Sequence, residues 1–164
     1  MRRTSLIAAM ALAAGFGGAA TAAAEERSCR GSIGAVTVDN LRVPQGATCR
    51  LNGTRVKGTV KVEARATLRA TKVRVVGNVQ SENHKRVYMS GSRVGGSIQV
   101  KQGGGSSLRS NSVGGDVQYF TNRGTIAIRS NRIDGNLQCK ENRPAPTGGG
   151  NVVQGNKEDQ CRRL

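Results

Sequence analysis

Aromatic residues are almost absent from this 164-residue sequence, which has no tryptophan, two tyrosines and two phenylalanines. Buried aromatic rings supply much of the apolar area in ordinary globular cores, so we do not expect a core of that kind. Valine and isoleucine can replace them where short repeats stack, because each repeat buries its few inward residues against its neighbours. The composition therefore favours a repetitive chain.

Long apolar runs are also missing after residue 24, where nothing approaches the ~20 residues that cross a bilayer. Residues 1–24 differ, because Arg2 and Arg3 precede an apolar run over 6–16 and a track of small residues ending at Ala24. This order is typical of a signal peptide cleaved after Ala24, and the arginine pair fits both the general and the twin-arginine export routes. We thus expect one mature domain, residues 25–164, in a secreted, extracellular or periplasmic protein without a transmembrane segment.

Acidic residues are few. Ten Asp and Glu stand against 26 Lys and Arg, and loss of residues 1–24 would remove two arginines and leave a net charge of +14. An excess of this size favours contact with acidic partners.

A five-residue phrase recurs along the chain, as Val-Val-Gly-Asn-Val at 75–79 and Val-Gly-Gly-Ser-Ile at 94–98. Its glycines are separated by 19, 19, 19, 20 and 20 residues, and we use them as markers: Gly58, Gly77, Gly96, Gly115, Gly135 and Gly155. A fixed period of this length with short Val-rich alternations is typical of a β-solenoid, in which each repeat forms one coil. A left-handed hexapeptide helix would need a period of eighteen. The spacing therefore predicts a right-handed parallel β-helix of about seven coils.

Three apolar columns follow from this alignment. They lie two residues after the marker glycine (Val60, Val79, Ile98, Val117, Leu137), two before it (Val56, Val75, Val94, Val113, Ile133) and seven before it (Leu51, Ala70, Met89, Leu108, Ile128). Polar residues alternate with them, as strands with one buried face require. We expect two or three short strands per coil, and the glycine should provide a bend without steric cost.

Two polar columns should face solvent. Three residues after the marker, Gln80, Gln99, Gln118 and Gln138 predict an amide ladder of structural importance. Three residues before it stand Arg55, Arg74, Arg93, Ser112 and Arg132. Like charges on neighbouring strands repel, so the arginine column is either solvated, opposing aggregation, or tolerated because it binds an anionic partner. Further basic residues would strengthen its field: Arg50, Arg69, Arg109, Arg129, Lys61 and Lys101.

The four cysteines, Cys29, Cys49, Cys139 and Cys161, include no C-x-x-C pair, so neither a metal site nor any other cofactor is predicted. Separations of 20 and 22 residues are each about one coil, which would bring the partners within disulfide range. We predict the pairs Cys29–Cys49 and Cys139–Cys161.

Both ends of the repeat are irregular. Alternating Val36, Val38, Leu41 and Val43 predict a first coil that ends in a turn at 44–46. The last coil carries prolines and glycines over 140–151, which predict a loop rather than a second strand, within a C-terminal cap over 139–164.

The repeat over 56–138 resembles that of polymer-forming β-helical proteins of the bactofilin kind. The segments 136–142, 144–151 and 155–161 are similar to small secreted bacterial proteins of actinobacterial type, for which no activity is established. The resemblance implies a secreted solenoid and supplies no catalytic residues.

Catalytic groups are sparse. Asp116 and Asp134 lie in adjacent coils but at different offsets from the marker, whereas polysaccharide-cleaving enzymes need clustered carboxylates. The single histidine, His84, lies between Glu82 and Lys85, which favours a polar turn. Nucleic acid is not expected as a partner, because single-strand binding surfaces interleave basic residues with aromatics.

Two non-catalytic functions are compatible with these observations. The first is a structural or adhesive component of the bacterial envelope or extracellular matrix, with self-association as one possibility. The second is a module that binds anionic cell-wall or extracellular polysaccharide through Arg55, Arg74, Arg93 and Arg132. A polysaccharide-active enzyme is the weakest alternative.

Overall fold

A computed structural model describes residues 25–164, and the predicted signal peptide, residues 1–24, lies outside them. The described chain forms 22 strands that contribute in turn to three parallel sheets, here called A, B and C. Sheets B and C have seven strands each and sheet A has eight, so the chain makes about seven turns. The predicted parallel β-solenoid is confirmed, with three strands in each turn. No helix long and apolar enough to cross a bilayer occurs in residues 25–164.

The strands are short and follow one another in the order A, B, C. Sheet A contains β1 (Glu26–Ser28), β4 (Asn40–Val43), β7 (Val60–Val62), β10 (Val79–Glu82), β13 (Ile98–Lys101), β16 (Val117–Phe120), β19 (Leu137–Lys140) and β22 (Lys157–Asp159). Sheet B contains β2 (Ser32–Ile33), β5 (Thr48–Asn52), β8 (Thr67–Thr71), β11 (Arg86–Ser90), β14 (Gly105–Arg109), β17 (Ile126–Arg129) and β20 (Thr147–Gly149). Sheet C contains β3 (Thr37–Val38), β6 (Arg55–Val56), β9 (Arg74–Val75), β12 (Arg93–Val94), β15 (Ser112–Val113), β18 (Arg132–Ile133) and β21 (Val152–Val153).

The three predicted apolar columns form the core, one column on each sheet. Val79 pairs with Ile98 in sheet A, Val75 with Val94 in sheet C, and Met89 with Leu108 in sheet B. Every residue of these columns from Leu51 to Leu137 is at most 3% exposed. Tyr119 adds the one large aromatic side chain of the core, opposite the small Ser106, whose Oγ lies 2.8 Å from the tyrosine Oη.

We expected the marker glycines to provide a bend in the chain. Instead, glycine is needed at these positions because successive turns stack closely there. None of the six has a positive φ. The Gly77 N–H donates to the Gly58 carbonyl at 3.0 Å, and a Cβ on Gly77 would lie 2.7 Å from that same oxygen. Left-handed conformations occur at the other two corners of the coil, where Lys72 and Asn83 are examples. A side chain at the marker position would therefore push successive turns apart.

Two internal columns of asparagine, which the sequence analysis missed, follow these left-handed corners. One runs through Asn111, Asn131 and Asn151, where the Oδ1 of Asn131 and of Asn151 accepts the backbone N–H and the Nδ2–H of the asparagine one turn earlier. The other runs through Asn122, Asn142 and Gln160 in the same way. Both lie inside the coil and satisfy buried backbone groups where the strands are interrupted.

Disulfides close both ends with the predicted pairing. Cys29 and Cys49 have a Cα–Cα distance of 5.5 Å, and Cys139 and Cys161 one of 5.2 Å. All four are buried, and the ladder partner of Cys139 is Asp159, so Cys161 reaches its partner from a turn that folds across the last coil. The disulfides therefore cover the open ends of the core.

Two predictions for the irregular ends were wrong in part. The segment 140–151 does contain a strand, which begins after the two prolines: Thr147–Gly149 pairs with Ala127–Arg129. Glycine allows this pairing, since a Cβ on Gly148 would clash with the Ile128 carbonyl oxygen. Val36 is 46% exposed, whereas Val38, Leu41 and Val43 point inward as expected.

Candidate anion-binding face

The predicted arginine column lies on the outside of sheet C. Each strand of this sheet has two residues, and in every strand from β3 to β18 the second is buried and the first points outward. Arg55 pairs with Arg74 and Arg74 with Arg93, and Ser112 then separates Arg93 from Arg132. All four arginines are exposed. The structure therefore brings together the four predicted residues, at strand spacings of about 4.8 Å with one gap.

Sheet B carries a second set of arginines on its outer surface. Arg50 and Arg69 are neighbours in one column, and Arg109 and Arg129 in another. Arg86, which the sequence analysis did not single out, begins β11 of the same sheet. Only a short corner separates the two sheets, as between Arg129 and Arg132. We call the outward side chains of sheets B and C the basic face, and its nine exposed arginines are Arg50, Arg55, Arg69, Arg74, Arg86, Arg93, Arg109, Arg129 and Arg132.

Charge is segregated between the basic face and sheet A. The strands of sheets B and C contain no Asp, Glu or Lys, and no acidic residue lies in a corner between them. Sheet A mixes both signs, with the acidic Glu26, Glu82, Glu158 and Asp159 beside the basic Arg27, Arg42, Lys61, Lys101, Lys140 and Lys157. Lys61 and Lys101, which we expected to reinforce the arginine column, thus lie on the mixed sheet.

The guanidinium groups of the basic face have few acidic neighbours. Among the described residues only Arg132 of the nine contacts a carboxylate, with its Nε 3.5 Å from Asp134 Oδ1. By contrast, Arg42 on sheet A contacts both Glu26 and Glu63, at 3.0 and 3.4 Å. Eight arginines of the face can therefore form charge-assisted hydrogen bonds with an external anion.

One aromatic side chain stands on this face. Tyr88 lies on β11, half-buried, with the Arg69 guanidinium 4.7 Å above the centre of its ring. Arg86 donates from Nη1 to the tyrosine Oη at 3.2 Å. A shallow depression surrounds the ring, lined also by Arg50, Thr71, Ser90, Ser107 and Arg109.

The glutamine column forms on the outside of sheet A but is shorter than predicted. Gln99 donates to Gln118 at 3.2 Å, Gln118 to Gln138 at 2.8 Å, and Gln138 to Glu158 at 2.9 Å. Gln80 is exposed and makes no side-chain hydrogen bond in this ladder. The column stabilises sheet A and takes no part in the basic face.

Asp116 and Asp134, the candidate catalytic carboxylates, have different polar partners. Asp116 Oδ1 accepts the backbone N–H of Asn136 at 2.7 Å, and Asp134 contacts Arg132. His84 lies, as expected, in the polar corner between β10 and β11, but its own ring is buried above Gly103, and neither ring nitrogen has a hydrogen-bond partner. Burial lowers the pKa of His84 to about 4. Within residues 25–164, no three His, Cys, Asp or Glu side chains group together as metal ligands.

The fold and the face define a disulfide-capped β-solenoid with a one-sided arginine surface. Disulfides of this kind persist in oxidising, extracellular-type environments. Comparison with protein-family models, curated proteins and solved structures found no match. The resemblance to bactofilin-like and secreted actinobacterial proteins therefore stays a prediction.

Proposed function

We propose that this chain is an exported, non-catalytic solenoid that adheres to anionic polymers of the bacterial envelope or extracellular matrix through its basic face. Export is supported by the signal-like residues 1–24 and by two buried disulfides. The proposal unites the two functions that the sequence favoured, because a rod attached to a wall polymer is also a structural component.

The observation that carries the proposal is that nine arginines and no acidic residue occupy two of the three sheets. If the charges served solubility alone, they could be lysine or arginine and could be spread over all three sheets. Arginine differs from lysine in its planar, bidentate donor geometry, which matches carboxylate, sulfate and phosphate groups. The strands of the basic face use arginine alone, and Lys72 is the one lysine in the corners between sheets B and C, so this composition favours oxyanion binding.

End-to-end polymerisation has less support. The first and last strands of sheet A place Arg27 and Lys157 in the inward column, where their neighbours are Leu41 and Leu137. Stacking one rod on the next would bring these two charges together in a buried position, which is costly. Inward-pointing charges of this kind protect exposed strand edges from pairing.

The test is retention of the oxidised protein, residues 25–164, on immobilised polygalacturonate and on purified cell wall across a salt series. The variant Arg55→Gln, Arg74→Gln, Arg93→Gln removes three charges from the basic face. The matched control Lys61→Gln, Lys101→Gln, Lys140→Gln removes three charges from sheet A. We expect the first variant to elute at clearly lower salt, and the control to stay close to the wild type, because exposed charge pairing is local and screened over about 10 Å.

Equal losses in both variants would mean that net charge, and not the basic face, attracts the polymer. If neither polygalacturonate nor cell wall retains the wild-type protein at low salt, the proposal is refuted.

A further inference from the structure

Tyr88 has one ring face covered and one free. Its neighbours in the same outward column of sheet B are Arg69 on the preceding strand and Ser107 on the following one. The Arg69 guanidinium stacks on the ring at 4.7 Å, so it covers the face that looks toward the preceding strand. The other face must look toward Ser107.

Only small side chains lie beyond that free face. Ser107 is followed in the column by Ala127, and neither can reach up to cover an aromatic ring on the next strand. Tyr88 is accordingly half-buried, because Arg69 covers one ring face and no long side chain covers the other. The result is a slot about two strand spacings wide, or ~10 Å, bounded on one side by an aromatic ring.

Hydroxyl groups and an arginine guanidinium lie beside the slot. Ser90 lies two residues along the same strand as Tyr88, and Arg109 two residues along from Ser107, so both point outward about 7 Å away. Thr71 pairs with Ser90 from the preceding strand, so it lines the depression on the Arg69 side of the ring and not in the slot. Among residues 25–164, no carboxylate lies within 4 Å of the Arg109 guanidinium nitrogens.

We infer that this slot is a subsite for a single acidic sugar ring of the bound polymer. The apolar C–H face of a pyranose would lie against the free face of Tyr88, because polarised C–H groups are attracted to the negative face of an aromatic ring. Ser90 and Ser107 would bond the sugar hydroxyls, and Arg109 would pair with the acid group. The inference rests on the proposed function and narrows its ligand from any polyanion to an acidic polysaccharide.

The experiment compares two anionic probes, a short oligogalacturonate and tripolyphosphate, by calorimetric titration of the oxidised protein. Tyr88→Ala removes the ring, and Ser107→Leu keeps the ring and every charge but fills the slot. We expect either variant to weaken oligogalacturonate binding by about two- to tenfold, the range typical of an aromatic stacking contact, without changing tripolyphosphate binding. Tyr88→Phe, which keeps the ring, should bind oligogalacturonate nearly as the wild type does.

Circular dichroism of both variants should match the wild type, since Tyr88 and Ser107 point away from the core. If oligogalacturonate binding is unchanged in Tyr88→Ala and in Ser107→Leu, the sugar subsite is refuted while the basic face stands. The same holds if both probes weaken equally. If the wild type binds neither probe, the proposed function itself fails, and this inference fails with it.

Discussion

The internal asparagine column makes a strong prediction about stability. The side chain of Asn131 is 2% exposed and takes part in four hydrogen bonds. Its Oδ1 accepts the backbone N–H and the Nδ2–H of Asn111, both at 3.0 Å, and its Nδ2 donates to the Leu108 carbonyl at 3.1 Å and to Asn151 at 2.9 Å. Replacing Asn131 by Ala would leave the buried Asn111 N–H and other polar groups without partners.

A buried polar group that loses its partner costs about 1–3 kcal/mol, so loss of two or three partners should destabilise the fold by about 3–5 kcal/mol. For a chain of this size, such a loss lowers the melting temperature by roughly 10 °C or more. The assay is thermal unfolding followed by far-ultraviolet circular dichroism under oxidising conditions.

Asn52 provides the matched control, since it lies on the neighbouring sheet B and is exposed. Asn52→Ala should shift the melting temperature by no more than a degree or two, as surface substitutions do. If Asn131→Ala behaves like Asn52→Ala, the column does not stabilise the interior and the reasoning is refuted.

Two further predictions concern the marker glycines and the buried histidine. Gly77→Ala should destabilise the fold strongly in the same melting assay, because its Cβ would lie 2.7 Å from the Gly58 carbonyl oxygen, whereas Gly31→Ala meets nothing within 4 Å and should be tolerated. The pKa of His84 is about 4 in the fold and about 6.5 when unfolded, so the unfolded chain binds the proton first and stability should fall by about 3 kcal/mol as the pH drops from 6.5 to 4. In His84→Asn this part of the pH dependence of urea unfolding should vanish; if it persists, other groups cause it.

Stacking explains why some interior residues escaped the sequence analysis. Asn111, Asn131 and Asn151 stand at the same offset from three marker glycines, which was a usable signal. Asparagine is also common in turns, because it tolerates the left-handed backbone conformation. Its presence near a turn therefore indicated nothing about burial. The asparagine amides become buried and hydrogen-bond one another only because successive turns lie directly on each other. The burial of the His84 ring was missed for the same reason, since its polar neighbours are exposed while the ring points inward.

The sequence by itself determined which residues lie one above another in successive coils, because that depends only on the constant length of the repeat. The three apolar columns, the two disulfide pairs and the alignment of Arg55, Arg74 and Arg93 all follow once residues 19 or 20 apart are placed one above another. The tertiary structure decided where the chain turns within each coil, because that depends on single left-handed residues such as Lys72 and on the packing of the interior. Those corners divide the coil into three sheets, and they alone put the arginines of sheets B and C on one surface and the acidic residues of sheet A on another.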